Sequence, residues 1–423
     1  MYRVSNFITT FALCLLAGTS IALVWANFSP ESYQDFVELR LIDGFPVGYD
    51  NPDAIGAGGR TLTLQYLINT VLMSFFFFLT GKEIWEALIQ KQGSLRGPEA
   101  LVPFGAVLGC MLGPALVYIG LAALDGSSEA GSISGGWAIP AATDVAVAYW
   151  VGRMVFGPGH PALRLLMLIA ICADIVALLI LGFLHQSATL EPLWLLLPLI
   201  ASVLVFVLFN WLPRQLDRGD QLRARSTWVR KKVSFWPYAL AGALSWYGFQ
   251  EAGLHPALGL LPIIPAIPHA DRAFGFFAEA EEYLSDTLNR IAHLLTWPVA
   301  GVLMLFGLTH GGAVFAAAGT ATWITLAAMV LGKPVGVFAG GMLAARLLGK
   351  ALPKGVTPLD LAVVGCIAVI GLTVPLLMAG AALPGGQHQE AAKLGIVLSL
   401  IAGPLTVLAA RRMHLGRWAN SGK

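Results

Sequence analysis

Asp144, Asp174 and Lys333 stand in the middle of long apolar runs, and Lys82 and Glu83 lie near the end of another. A charge at the centre of a bilayer costs at least about 2.5–3.5 kcal/mol on insertion scales, so ionisable side chains at that depth mark ion or substrate paths. Asp174 is set in Leu168-Ile169-Ala170-Ile171-Cys172-Ala173-Asp174-Ile175-Val176-Ala177-Leu178. A carboxyl group deprived of water can hold a proton or a cation in turn, which is the elementary step of cation/proton exchange. The competing reading is a carboxyl that stays protonated, or pairs with a lysine, and only packs.

Such groups need elements that bring polar backbone to them. Asp144 follows Gly135-Gly136-Trp137-Ala138-Ile139-Pro140-Ala141-Ala142-Thr143. Pro140 and its small neighbours interrupt the helical ladder and free carbonyls next to a carboxylate. Gly371-Leu372-Thr373-Val374-Pro375 carries a comparable break in the other half of the chain. Helices broken at mid-membrane line cavities or pack within protein, and in transporters they build ion sites, whereas the plainer alternative is a pair of proline kinks. Lys333, in Leu331-Gly332-Lys333-Pro334, reads as a buried charge partner for either aspartate, or as a side chain that snorkels to the interface.

The rest of the composition agrees with a membrane setting. Of 423 residues 57% are hydrophobic and 12% charged, and the mean hydropathy is +0.73, values that exclude an ordinary water-soluble domain. Apolar runs fall near 7–26, 62–80, 101–124, 137–152, 162–184, 192–212, 233–249, 254–269, 291–309, 320–345, 358–382 and 391–410. A helix needs roughly twenty such residues to cross the hydrocarbon core. The expected fold is therefore an all-α polytopic membrane protein of about twelve transmembrane helices, a single domain over 1–423 with its bundle at 7–412. With a cytoplasmic N-terminus, all but four of the 26 basic residues fall on the inside; Arg40 and Arg60 lie outside, and Lys333 and Lys393 within or at the edge of spans. That asymmetry predicts a multi-pass plasma-membrane (inner-membrane) protein with both termini cytoplasmic.

Three connecting segments have characters of their own. The outer segment 27–61 holds Leu39-Arg40-Leu41-Ile42-Asp43-Gly44-Phe45-Pro46-Val47-Gly48-Tyr49, read as a small β-hairpin turning at Asp-Gly, with an irregular loop as the alternative. Segment 213–232 is a basic cytoplasmic loop, and 270–290 an amphipathic cytoplasmic helix with a solvated charged face. The first apolar run lacks a small-residue cleavage site and is expected to be retained as a helix. Cys14, Cys110, Cys172 and Cys366 lie in apolar segments without paired spacing and read as packing residues. His310 and His388 are placed in outer loops, and no histidines have metal-ligand spacing. The net charge of +2 gives no reason to expect nucleic acid.

Gly136-Trp137-Ala138-Ile139-Pro140-Ala141-Ala142-Thr143-Asp144 closely resembles the broken fourth helix of the NhaA family of Na+/H+ antiporters. Further similarity, in order along the chain, comes from Gly81-Lys82-Glu83, Gly332-Lys333-Pro334-Val335-Gly336, Leu352-Pro353-Lys354-Gly355-Val356-Thr357, Ile370-Gly371-Leu372-Thr373 and Ala392-Lys393-Leu394-Gly395-Ile396. The resemblance implies a fold of inverted repeats with two broken crossing helices, and a homodimer joined through the outer hairpin. It implies that Asp174 is the central cation and proton site holding Na+, that Asp144 neutralises facing helix ends with Thr143 beside it, and that Glu83 lies at a cytoplasmic funnel. Pro140, Gly371, Thr373 and Pro375 become the elements of the broken helices. One departure matters: the family has two adjacent aspartates, and here Ala173 replaces the first, which the tenth-helix lysine would pair with.

The leading expectation is a monovalent-cation/proton antiporter exchanging Na+ or Li+ for H+ at Asp174, electroneutral because Ala173 has removed a titrating charge. Its partners would be monovalent cations, protons and membrane lipids, with no cofactor. A transporter of the same fold carrying an anion or a proton-coupled solute is the alternative, together with a sensor that does not transport. A membrane aspartic protease is disfavoured, because neither aspartate has a Gly-x-Gly-Asp setting and a dyad needs carboxyls close enough to share a proton.

Overall fold

The computed structural model describes residues 7–50, 59–89, 101–125, 133–184, 190–217, 228, 234–268, 286–349, 351–383 and 385–416. Most of the basic loop 213–232 and of the segment 270–290 lies outside the described residues. The long helices are α1 (Phe7–Phe28), α3 (Leu64–Glu86), α4 (Leu101–Leu124), α6 (Pro161–Leu184), α7 (Pro192–Leu216), α9 (Thr287–His310), α10 (Thr320–Leu347) and α13 (Gln387–Arg412). These eight are long and apolar enough to cross a membrane. Shorter helices are α2 (Pro30–Val37), α5 (Val145–Phe156), α8 (Trp236–Glu251), α11 (Pro358–Ala368) and α12 (Thr373–Ala382), with 3-10 turns over Pro256–Ala266. All twelve expected apolar runs are thus helical, with four of them short or interrupted. The chain is a multi-span membrane protein.

Lipid and protein faces can be read on α4. Phe104, Leu108, Leu112 and Leu116, four residues apart, are exposed and make an apolar stripe suited to acyl chains. One position on, Gly105, Gly109 and Gly113 meet Gly340, Gly336 and Gly332 of α10. A Cβ on Gly109 or Gly336 would strike the carbonyl oxygen of the other. Without side chains between them the two backbones touch, the way membrane helices gain packing that the hydrophobic effect cannot supply. A second seam joins α1 to α9: Gly18 lies on the Met304 carbonyl, and Gly307 on Leu15 and Thr19.

Three long helices carry a wide π-turn, at Leu67–Leu72 in α3, Val207–Trp211 in α7 and Ala328–Gly332 in α10. A π-turn re-aims the side chains after it and leaves backbone groups to be satisfied elsewhere. In α3 the Trp246 indole donates to the Thr70 carbonyl at 2.9 Å. In α10 the next residue is Lys333.

The expected strand pair is present, but its pairing differs. β1 (Arg40–Phe45) and β2 (Tyr49–Asp50) do not pair with each other; both flank β3 (Arg60–Thr63) in a three-stranded antiparallel sheet of order β1-β3-β2. Asp43-Gly44 is no hairpin turn: the register slips between Asp43 and Phe45, and Gly44 takes φ +72, a backbone shape that glycine adopts without a Cβ penalty. Arg60 clamps the sheet to the end of α8 through both carboxylate oxygens of Glu251. His310 also departs from expectation, as the buried last residue of α9 with its ring stacked on Phe306 rather than a loop residue.

Candidate functional site

Two interrupted spans cross in the middle of the bundle. In the first, a 3-10 turn over Gly135–Ala141 contains Pro140, the chain is extended at Ala142, and α5 begins after Asp144. In the second, α11 ends at Ala368, Val369 to Leu372 break the helix, and α12 starts at Thr373, bent by 52°. Each break lies between two long helices, α4 and α6 for the first, α10 and α13 for the second. Where the breaks cross, the Asp144 amide donates to the Ile370 carbonyl at 3.0 Å.

Four broken ends leave amides and carbonyls outside any helical ladder, and at this depth they call for partners. Asp144 answers both amide ends. One carboxylate oxygen accepts the Val147 amide of its own helix at 2.7 Å, and the other accepts the Thr373 amide at the start of α12 at 3.3 Å. The carbonyl ends have separate partners: Lys333 Nζ donates to the Ala142 carbonyl, and the Thr143 hydroxyl to the Ala368 carbonyl at 3.0 Å. Negative charge thus sits at two helix N-termini and positive charge at a C-terminal carbonyl, each in its favourable place.

Asp174, on α6, closes the group. Its Oδ1 accepts the Thr143 amide at 3.2 Å. Its Oδ2 is buried and meets no hydrogen-bond partner among the described residues. A buried carboxylate oxygen without a donor is costly unless something else occupies it. Ser399 of α13 holds the second break from behind, accepting the Gly371 amide at 3.3 Å and facing its carbonyl at 3.4 Å.

The structure therefore brings Asp144, Thr143, Asp174, Lys333 and Thr373 together, with Pro140, Gly371 and Pro375 shaping the breaks. Lys333 differs from expectation: it is fully buried, does not snorkel, and makes no ion pair with either aspartate among the described residues. Its partner is a backbone carbonyl, chosen by the wide turn that precedes it. Glu83 belongs to a separate buried cluster at the end of α3, where Lys82 bridges Glu83 at 3.0 Å and Glu86 at 3.1 Å. Glu86 was missed in the sequence because it sits beyond the apolar run; its spacing of four from Lys82 on a helix was the available signal. Ser399 was also missed. No group of metal-ligating side chains assembles among the described residues.

Comparison with known proteins follows the same lines. The family model described as Na+/H+ antiporter 1 matches residues 4–409. The "Na(+)/H(+) antiporter NhaA" of Jannaschia sp. (strain CCS1) is 52% identical over 411 residues, covering 97% of this chain and 98% of that protein. The protein of the same name from Geobacter sulfurreducens is 35% identical, covering 97% and 98%. Among solved structures, the sodium proton antiporter MjNhaP1 from Methanocaldococcus jannaschii superposes with a TM-score of 0.51 at 14% identity, covering 97% of this chain and 91% of that one, a likeness of fold. A family match along almost the whole chain, relatives of equal length and two broken helices capped at their crossing agree: this protein belongs to the Na+/H+ antiporter 1 family, whose members are transporters rather than enzymes.

Proposed function

We propose that the protein exchanges Na+ or Li+ for H+ at Asp174, one carboxylate that holds the two in alternation as the bundle opens to either side of the membrane. The observation that carries the reading is the Asp174 Oδ2, buried and without a donor among the described residues, on a carboxylate whose other oxygen accepts the Thr143 amide of the first break. A proton or a cation satisfies that oxygen equally, and their competition couples the two fluxes without further machinery. Asp144 and Lys333 hold the broken ends in place and leave the exchange to Asp174. Thr143 and Thr373 offer hydroxyl oxygens to the cation, and Glu83 lies on the cytoplasmic approach.

With Ala173 in place of a second carboxylate, one proton leaves for each cation that binds, so the cycle carries no net charge. The excess of basic residues in one set of connecting segments supports a plasma-membrane location with both termini in the cytoplasm. Two copies pair through the sheet, whose β1 edge exposes Leu41, Ile42 and Phe45, an apolar strand edge of the kind that recruits another strand.

The test is proton release from acid-loaded proteoliposomes on addition of Na+, Li+ or K+, with the membrane potential clamped and unclamped. Cation-driven release that is independent of potential and lost in Asp174→Asn is the expected result. Substantial exchange by Asp174→Asn would refute the mechanism, and silence with every cation would point to another substrate or to a sensor.

A further inference from the structure

Cys110 lies on α4 and is completely buried, with its Sγ 3.7 Å from the Thr143 hydroxyl. The proton order at this contact is determined by its other partner. The Thr143 hydroxyl has one proton, and that proton is given to the Ala368 carbonyl, which can only accept. The thiol must therefore donate to Thr143 Oγ1. A hydroxyl has two lone pairs; the thiol takes one and leaves one. On its backbone side, the same threonine donates its amide to Asp174, whose other oxygen has no partner among the described residues.

The backbone that carries the thiol is held in place. Gly109, its neighbour, is pressed against Gly336 of α10, and Gly113, one turn on, against Gly332. That seam fixes α4 and α10 in register, so Cys110 and Lys333 present themselves to the two sides of Ala142-Thr143 together.

We propose that Cys110 is a positioning residue of the ion site: its thiol orients the Thr143 hydroxyl so that one lone pair remains for the cation bound at Asp174. The inference rests on the reading of Asp174 given above. It makes a sulfur the neighbour of the transported ion, so a small thiol reagent reaching the site blocks it, and the ion shields the thiol in return.

The experiment has two arms in proteoliposomes. In the first, Cys110→Ala and Cys110→Ser are compared for Na+ and Li+ exchange. Loss of one neutral hydrogen bond should raise the KM of Cys110→Ala about fivefold with kcat unchanged, and the serine hydroxyl, a donor at the same place, should restore it. A fall in kcat alone, or a serine no better than alanine, would overturn the proposal as it would indicate packing. In the second arm, Cys14, Cys172 and Cys366 are replaced by serine, and methyl methanethiosulfonate is applied to the protein that retains Cys110. Labelling of Cys110, quantified by mass spectrometry, that Na+ slows severalfold in the parent but not in Asp174→Asn is expected. Labelling at the same rate with and without Na+, or none, would overturn the proposal while leaving Asp174 untouched, whereas exchange persisting in Asp174→Asn would overturn the reading beneath it.

Discussion

Replacing Asp144 by asparagine changes one atom, and the capping geometry states what that should cost. The carboxylate accepts the Val147 amide on one oxygen and the Thr373 amide on the other. An asparagine has one accepting oxygen and one donating nitrogen. It can cap α5 or α12, and the amide of the other helix then faces a donor. A buried amide left without an acceptor costs about 1–3 kcal/mol. Loss of full negative charge beside two helix N-termini adds roughly 0.3–1 kcal/mol at each, and more where water is excluded. The sum is roughly 2–5 kcal/mol. Asp174→Asn is the control, since its single accepted bond, from the Thr143 amide, survives in the amide; it should stay within about 1 kcal/mol of the parent. Unfolding by SDS in mixed micelles, followed by tryptophan fluorescence, measures both. Equal stability of Asp144→Asn and the parent would refute the assignment of Asp144 to the two helix ends.

Other changes probe the charges and the packing around the same crossing. Ala173 is fully buried, and Ala173→Asp should make exchange electrogenic: one added charge per cycle is worth about 2.3 kcal/mol per 100 mV, readable as potential-driven Na+ uptake that the parent lacks. Lys333→Met keeps most of the volume but leaves the Ala142 carbonyl without its donor, and should lower stability by about 1–3 kcal/mol in the same unfolding assay. Gly336→Ala drives a methyl into the Gly109 carbonyl and should cost about 1–3 kcal/mol or more, whereas Gly301→Ala, with open space around it, should be neutral.

How much of this could be read from residues alone depended on range. Asp144, Asp174 and the two Gly/Pro breaks announce themselves, because ionisable and helix-breaking residues in apolar runs are expensive and local. Spans such as Leu101–Leu124 follow from length and composition. What was hidden is set by contacts distant in sequence. Lys333 looked in need of a carboxylate, and no local signal points to a carbonyl 191 residues away. Cys110 read as packing because its partner, Thr143, is brought to it by the crossing. Glycine spacing in α4 and α10 was visible, but which faces met was not. The strand order failed for the same reason: Asp43-Gly44 is a strong local turn signal, and β3 outcompetes β2 for the β1 edge from farther along the chain.

The seam between α4 and α10 bears on how the molecule can move. Side chains at an interface can switch rotamers and let two helices slip past one another; touching backbones have no such parts to rearrange. Displacing Gly109, Gly113, Gly332 or Gly336 along the axis would drive a carbonyl into the facing chain within a fraction of a helical turn. The two helices thus act as one stiff beam that holds Lys333 and Cys110 at a constant separation. Around the breaks, by contrast, contact depends on a few polar bonds of about 3 Å made by Asp144, Thr143 and Ser399, bonds that can exchange partners one at a time. As the bundle opens to either side, α4 and α10 therefore move as one body, and the polar bonds at the crossing rearrange against it.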